Sequence, residues 1–454
     1  MITSLTLFVF FSYGHFSRFF DDKLFIRLSD KIILGPDKIF IPVLLLLCAF
    51  VVYRIIRTKN SLDRVISFLN ISLLFIVVCI LAVIIYKEGQ KNNPAFVYLN
   101  SARNNSIVRQ VNTPDIYYII LDGYARQDTL KNVYNHDNSN FINSLRKMGF
   151  YVADNSRTNY FHTFLSLPST LNMTYLDMFS TMSGKRHLDE SAGTNLMFGN
   201  QVSEKLKNYG YKTINFETWW SGTNENYPAD ISYRYEKNYK ILGLDFITSE
   251  SNMVFLQTTL LNPLIREVRN EVMRGQILTV FEKLPDISYL EGRKFTLAHI
   301  TSPHPPYIFT ADGGEVLASD LNTTDEGISK RKSYVDQLIF ISDQITQVLQ
   351  KIIASSNTPP IIILQSDHGP ASILGERQDW KTNFNKQGID ERSGILNAIY
   401  FPDRDYRQFY SAETPVNTFR IVFNKYFGQD MELLPDKTYY TDYDNLYQFI
   451  DVTD

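Results

Sequence analysis

Two long apolar runs near the N-terminus constrain this chain more than any other feature. Residues 66–86 contain no charged side chain, and residues 39–56 contain one, Arg54. A helix needs about 20 apolar residues to cross a bilayer, so we expect two transmembrane helices here. A pair of helices buried in a soluble core is the alternative, but such uncharged runs are uncommon there. The shorter apolar stretch at 4–20 is a candidate for a partial span.

The loop between the two runs predicts the orientation of the chain. It contains four basic residues between positions 54 and 64 against a single acidic residue, Asp63. Short cytoplasmic loops carry an excess of Lys and Arg, so this loop is expected on the inner side. The chain then crosses the membrane within 66–86. Everything after Lys87 is therefore predicted to be periplasmic or extracellular.

Composition excludes several kinds of partner and site. The formal net charge is −3, which gives no reason to expect a nucleic acid partner. The two cysteines, Cys48 and Cys79, both lie inside the apolar runs. A structural disulfide, a thiolate metal site and a cysteine nucleophile are therefore excluded from the rest of the chain.

Beyond the apolar runs, the sequence predicts a linker and then a layered α/β domain. Short apolar runs typical of buried strands alternate with amphipathic segments typical of helices. The candidate strands are 115–121, 212–216, 294–300, 360–365 and 395–401, and the candidate helices are 141–148, 329–354 and 414–427. The predicted boundaries are an anchor over 1–90, a linker over 91–113, a catalytic domain over 114–410, and a C-terminal helix and tail over 411–454.

Polar side chains stand at the ends of three candidate strands, where ligands bind in folds of this kind. Asp122 follows the run YYIIL, Asp367 and His368 follow IIILQS, and the third strand with its loop carries His299 and His304. Carboxylate oxygen and imidazole nitrogen together suit Zn²⁺ or Mn²⁺. A turn capped by an aspartate would by itself explain the Asp-His-Gly sequence, but the second acidic strand end favours a metal site.

Hydroxyl side chains are concentrated in the segment NYFHTFLSLPSTLNMTYL, which is predicted to pass from a loop into a helix. They include Thr163, Ser166, Ser169 and Thr170. A hydroxyl at a helix N-terminus beside a metal can be deprotonated and act as a nucleophile. Ordinary N-capping by Ser or Thr is the alternative explanation of this segment taken alone.

Taken in their order along the chain, these motifs resemble those of the alkaline phosphatase/sulfatase-like superfamily. The resemblance covers about 114–402. The membrane-anchored branch, with lipoteichoic acid synthase-like and phosphoethanolamine transferase-like proteins, is the most similar. The resemblance implies a central, mostly parallel sheet flanked by helices and preceded by an N-terminal transmembrane anchor. It also implies a multi-pass protein of the bacterial inner membrane, with its catalytic domain on the outer side.

The resemblance also assigns the metal site. Asp122 matches the first acidic metal ligand of these enzymes, and Asp367 and His368 match the remaining ligands. Thr163 matches a catalytic nucleophile that also touches the metal. The metal itself would be zinc or manganese.

Three further residues receive substrate-binding roles from the resemblance. His304 matches a catalytic histidine that binds the substrate phosphate or a second metal, and His299 matches its counterpart five residues earlier. Ser166 lies three residues after Thr163, as in the Thr-x-x-Ser-x-Pro pattern of the transferases. His162 is interpreted as structural, and Trp219 and Trp220 as core residues, with a substrate cleft as their alternative.

The chain departs from the superfamily pattern at two places. The Cys-x-Pro-x-Arg element of sulfatases, which matures to formylglycine, is absent, and the nearest stretch is SLPST. This argues against a formylglycine sulfatase. The transferases also carry a histidine about a dozen residues after Asp-His-Gly, whereas this chain has none there. Asp379 is only a weak substitute for that histidine. The sequence therefore does not predict a second metal or substrate site beside the first.

The implied reaction is the transfer of phosphoglycerol or phosphoethanolamine from a phospholipid to a cell-envelope glycan or lipid. Thr163 would carry the group as a phospho-threonine intermediate. Two alternatives stay open: a hydrolase of sulfate or phosphate esters, and a non-catalytic relative that binds envelope glycans.

Overall fold

The structure is a computed structural model that describes most of the chain after residue 112 and parts of the segment before it. The described residues are 6–11, 13, 26–29, 32–34, 36–57, eight positions between 67 and 78, 113–182, 190–224, 227–235, 239–241, 244–246, 259–316, 328–374, 385–441, 443 and 445–453. The chain divides into two compact units. The first consists of Met1–Asn92, Glu236–Val272 and Val316–Ser329, and the second of Asn93–Tyr235, Met273–Glu315 and Lys330–Asp454.

The described elements alternate between strands and helices through the second unit. The strands are β1 (Ile26–Ser29), β2 (Ile32–Leu34), β3 (Ile116–Leu121), β4 (Tyr151–Val152), β5 (Lys212–Phe216), β6 (Ile231–Tyr233), β7 (Tyr239–Ile241), β8 (Leu244–Phe246), β9 (Lys294–Ile300), β10 (Ile361–Gln365), β11 (Asn397–Tyr400), β12 (Tyr439–Tyr440) and β13 (Ile450–Asp451). The helices are α1 (Pro36–Arg57), α2 (Gln127–Tyr134), α3 (Ser139–Met148), α4 (Thr163–Asn172), α5 (Met178–Met182), α6 (Ser191–Thr194), α7 (Gln201–Asn208), α8 (Asn262–Lys283), α9 (Ile328–Ser355), α10 (Lys386–Ser393) and α11 (Pro415–Phe427).

Seven strands of the second unit form one sheet, in the order β4-β11-β10-β3-β9-β5-β6. The pairs β10-β3, β3-β9, β9-β5 and β5-β6 are parallel, whereas β11 runs antiparallel to β10 and to β4. This confirms the predicted central, mostly parallel sheet flanked by helices. The sequence did not reveal β4 and β6, because strands of two or three residues at a sheet edge are too short to show a period.

The central strands are buried on both faces, as is typical of parallel sheets. On one face, Tyr117 and Ile119 of β3 share a core cluster with Leu338 of α9. On the other face, Tyr118 packs edge-on against Phe419 of α11, with ring centroids 5.2 Å apart. Helices cover both faces, so ligands can reach the sheet at the ends of its strands.

The N-terminal region is described only in part. Helix α1 overlaps the first predicted span, 39–56, and its side chains Leu45, Leu46, Leu47 and Phe50 are each more than half exposed. Within the described part of the chain, no helix is both long and apolar enough to cross a membrane. The stretches 4–20 and 66–86 and the linker 91–113 lie largely outside the described residues.

A buried carboxyl group lies beside strand β11, at the start of α11. The Glu413 carboxylate accepts hydrogen bonds from Asn397 Nδ2 at 2.5 Å and from Thr418 Oγ1 at 2.7 Å. Burial raises the pKa of Glu413 to about 8, although these two hydrogen bonds oppose the change. The folded state therefore favours the protonated form of this side chain.

We expect the Glu413→Gln substitution to flatten the pH dependence of stability. Because the ordinary pKa of this carboxyl is 4.5 and its folded value is about 8, the wild-type protein loses stability as the pH rises between these values. The total loss is on the order of 5 kcal/mol, and the neutral glutamine avoids it. Thermal melts across this pH range measure the difference, with the exposed Glu432→Gln as control. Parallel pH profiles for wild type and Glu413→Gln would contradict the raised pKa.

Candidate metal centre and active site

The register of three neighbouring parallel strands brings the predicted site residues together. Gln365 of β10 and His299 of β9 both pair with Ile120 of β3. Asp122 directly follows β3, and Asp367 lies two residues beyond the end of β10. These side chains therefore meet at the carboxyl edge of the sheet, where α/β folds bind ligands.

Asp122, Asp367 and His368 form a buried cluster with the composition of a metal site. One ligand atom from each lies within 4.8 Å of the others. His368 Nε2 lies 3.2 Å from Asp367 Oδ2 and 3.7 Å from Asp122 Oδ1. Two carboxylates and one imidazole are a ligand set that suits zinc or manganese.

The hydrogen bonds of the cluster leave its lone pairs directed at one another. His368 Nδ1 lies 3.0 Å from the Gly369 carbonyl oxygen, which can only accept, so Nδ1 carries the proton. His368 Nε2 therefore presents a lone pair to the two carboxylates. Asp122 Oδ1 is buried without a hydrogen-bond partner among the described residues. The cluster thus fits a cation, which would satisfy all three groups.

The electrostatics of the cluster favour a bound cation. Burial and the neighbouring charge of Asp122 raise the pKa of Asp367 well above its usual range. Burial alone would raise the pKa of Asp122, but the charge of His304, the hydrogen bond from His299 and the charge of His368 together lower it. Burial and the charge of Arg392 lower the pKa of His368, which keeps the imidazole neutral. Without a cation, the two carboxylates cannot both ionise easily.

Thr163 begins helix α4 and turns its hydroxyl toward the cluster. Its Oγ1 donates to Asp367 Oδ2 at 2.7 Å and lies 3.1 Å from His368 Nε2. The N-cap of α4 is His162, whose backbone oxygen accepts from the amides of the first turn. The Thr163 hydroxyl is therefore not a helix cap, and its partly exposed side chain can meet a substrate.

The three predicted substrate-binding residues lie at different depths. His304 is partly exposed, and its ring centroid lies 6.0 Å from that of His368. His299 is buried between Thr223 Oγ1 at 3.2 Å and Asp122 Oδ2 at 3.3 Å. Ser166 is also buried, and its hydroxyl donates to the Asp367 carbonyl oxygen at 2.7 Å. Of these three residues, His304 is the one whose side chain is partly exposed.

Two glycines allow the loops of the site to approach each other. Gly123 has φ +74°, a left-handed conformation that favours glycine, and its amide donates to Asp367 Oδ1 at 3.2 Å. A Cβ atom on Gly369 would lie 2.0 Å from the Glu391 carbonyl oxygen. An ordinary side chain would strain the backbone at Gly123 and would clash at Gly369.

Several contacts of the site could not be found in the sequence. Thr158 donates to the Asp367 carbonyl oxygen at 2.5 Å, and the Glu391 carboxylate accepts from Ser372 and Ile373 in the loop after Asp-His-Gly. Arg392 is buried among these loops. Each is an isolated polar residue without a motif, so no local pattern marks it. Asp379, the weak substitute for the missing histidine, lies outside the described residues.

The aromatic residues after β5 divide between core and surface. Trp220 packs edge-on against His299 with centroids 5.3 Å apart and contacts two core clusters. Trp219 is 37% exposed. His162 is buried, and its Nε2 lies 3.0 Å from the Thr441 carbonyl oxygen. Trp220 and His162 therefore have the structural surroundings that were expected of them.

Fold and site together define a member of the alkaline phosphatase/sulfatase-like superfamily. Residues 114–442 match the protein family described as Sulfatase. Because this match spans well over half of the chain, the chain belongs to the sulfatase family. No curated protein matches the chain.

Solved structures with a similar fold include transferases and sulfatases. The zinc complex of the periplasmic domain of EcEptC from Escherichia coli is 12% identical, with coverage of 76% of this chain and 96% of that one and a TM-score of 0.49. The soluble domain of lipooligosaccharide phosphoethanolamine transferase A from Neisseria meningitidis is 13% identical, with coverage of 69% of this chain and 88% of that one and a TM-score of 0.41. A putative sulfatase from Bacteroides fragilis is 11% identical, with coverage of 76% of this chain and 85% of that one and a TM-score of 0.45. Such distant likenesses do not identify the reaction of this chain.

We expect Asp367→Asn to weaken metal binding. The substitution removes one charged ligand, so the affinity for Zn²⁺ or Mn²⁺ should fall by more than about tenfold, the least that loss of a supporting residue usually causes. Titration of the chelator-stripped, full-length protein measures this. Asp405→Asn is a matched control, because Asp405 follows the oppositely directed strand β11. Equal affinities for wild type and Asp367→Asn would exclude Asp367 as a ligand.

Proposed function

We propose that this chain is a metal-dependent enzyme that transfers a phospho-alcohol group through Thr163. One observation carries the proposal. The partly exposed Thr163 hydroxyl lies within hydrogen-bond distance of two members of the buried cluster, Asp367 and His368. A hydroxyl in that position has a proton acceptor beside it and solvent on its other side, as a nucleophile requires.

The first half of the reaction forms the bond between Thr163 Oγ1 and phosphorus and breaks the bond from phosphorus to the donor alcohol. The hydroxyl proton moves toward Asp367 Oδ2, its hydrogen-bond acceptor at 2.7 Å. The departing alcohol takes up a proton, for which the partly exposed His304 is the proposed source. A second alcohol then forms a bond to phosphorus as the bond from Thr163 Oγ1 to phosphorus breaks. The alcohol's proton goes to His304, and Thr163 Oγ1 takes its proton back from Asp367.

A bound Zn²⁺ or Mn²⁺ would lower the pKa of a neighbouring hydroxyl and neutralise charge on the phosphate. Asp122, Asp367 and His368 would hold it. His299 and Ser166 have a supporting role in this proposal, because both are buried and bonded to the ligand residues. His299 orients the Asp122 carboxylate, and Ser166 fixes the backbone at Asp367.

The exposed apolar side chains of α1 support a phospholipid as the donor. Leu46 is 72% exposed, and Leu45, Leu47 and Phe50 exceed half. Such a contiguous apolar surface is unfavourable in water and typical of contact with lipid. Arg54 and Arg57 in the last turn of α1 suit phospholipid headgroups. We propose a bacterial inner membrane location, with the catalytic domain outside and an envelope glycan or lipid as the acceptor.

A hydrolase of sulfate or phosphate esters is the second candidate, favoured by membership of the sulfatase family. It would use the same cluster and the same Thr163, with water as the acceptor. The two reactions differ in the fate of the group on Thr163. The third candidate, a non-catalytic glycan-binding relative, would neither bind metal in the cluster nor modify Thr163.

We expect a covalent adduct on Thr163 when the full-length protein is incubated with phospholipids and Zn²⁺ or Mn²⁺. Intact mass and peptide mapping measure it, and the mass gain distinguishes phosphoglycerol from phosphoethanolamine. Thr163→Ser keeps the hydroxyl and should retain the adduct, whereas Thr163→Ala should abolish it. An adduct that survives Thr163→Ala would refute the nucleophile. Turnover without any adduct would favour the hydrolase, and no metal binding would favour the non-catalytic relative.

We expect α1 to hold the protein at the membrane. The double substitution Leu46→Arg/Leu47→Arg should shift the full-length protein from the membrane fraction toward the soluble fraction, since charged side chains oppose burial of this apolar surface among lipid tails. Leu278→Arg changes an exposed leucine of α8 and serves as control. Fractionation after alkaline extraction measures the distribution. Full retention of the double variant would contradict a membrane role for α1.

A further inference from the structure

Arg392, at the end of α10, is a buried cation that takes part in no chemical step of the proposed reaction. Its side chain is only 5% exposed. Nε donates to the Phe161 carbonyl oxygen at 2.8 Å, and Nη1 donates to the Gly369 carbonyl oxygen at 2.6 Å. No carboxylate of the described residues forms an ion pair with Arg392. Both hydrogen bonds that its side chain donates end on backbone carbonyl oxygens.

The two carbonyls flank the two segments that make the site. Phe161 lies two residues before Thr163, and Gly369 directly follows His368. The Gly369 amide also donates to the Arg392 carbonyl oxygen at 2.7 Å, so side chain and backbone hold the same loop. One planar guanidinium therefore connects the start of α4 with the loop after β10.

This connection lies beside the contact on which the proposed chemistry depends. The Thr163 hydroxyl meets Asp367 and His368 only if α4 and the loop after β10 keep their spacing. Burying a guanidinium is unfavourable, and burial lowers the pKa of Arg392. In return, the arginine holds the two segments with a planar group that has two donors in fixed positions. A lysine ammonium cannot provide that geometry.

We infer that Arg392 is a positioning residue that fixes the Thr163 segment against the Asp367–His368 loop. The contact itself does not depend on the reaction, but its effect on turnover rests on the proposed function. Arg392 does not touch the reacting atoms in this account. It acts through the two backbone carbonyls that it holds.

The test compares Arg392→Lys with Arg420→Lys in the full-length protein. Arg420 is a matched control because its guanidinium donates to the Met173 carbonyl oxygen, at the other end of α4, and to the Glu432 carbonyl oxygen. We expect Arg392→Lys to accelerate hydrogen–deuterium exchange in both 158–166 and 366–374. The kcat should fall on the order of a hundredfold, with KM for the donor little changed. Arg420→Lys should change neither segment and leave kcat at the wild-type value.

The outcomes separate this inference from the proposed function. Unchanged exchange in both segments of Arg392→Lys overturns the inference, whatever the activity. Accelerated exchange in a protein whose wild type neither turns over nor forms an adduct supports the contact and refutes the proposed function. If Arg392→Lys does not fold, it is replaced by Arg392→Gln. The glutamine has one amide donor group and is uncharged. Wild-type kcat in that variant would also overturn the inference.

Discussion

Two buried carboxylates face each other at the carboxyl edge of the sheet, and much of the surrounding structure accommodates their repulsion. Asp122 and Asp367 follow the adjacent parallel strands β3 and β10, whose pairing brings the two residues together. The lone pair of His368 points at the same space. Such an arrangement favours a bound cation, and the pairing of the strands would thereby contribute to metal binding.

The loops of the site are held by neutral contacts, so the ligand charges remain available. The Asp367 carbonyl oxygen accepts from the hydroxyls of Thr158 and Ser166, while the Gly123 amide donates to its carboxylate. Among the described residues, Arg392 is the buried cation of these loops, and it binds carbonyls. In the proposed function a bound metal would supply the positive charge that neutralises the carboxylates, and the partly exposed Thr163 would meet it from the surface side.

The nucleophile proposed for this chain is a threonine, not a formylglycine. A formylglycine enzyme would require a Cys or Ser element that this sequence lacks, whereas Thr163 already stands at the start of α4, against Asp367 and His368. A threonine ester of a phosphate is chemically suited to pass its group to a second alcohol. The exposed apolar face of α1 would keep such an enzyme near phospholipids, which contain the phosphodiester that the proposal needs.

Local sequence determined the elements whose signal lies within a few consecutive residues. The runs that became β3, β9 and β10, and the polar residues after them, could be identified because a buried strand and its end form one short pattern. Only the tertiary structure decided that His299 is buried behind Asp122 while His304 reaches the surface, and that Arg392 joins two loops. Those outcomes depend on contacts between residues far apart in the chain, which no local period encodes. The sequence therefore determined which chemical groups the site contains, and the packing of the sheet with its loops decided which of them meet.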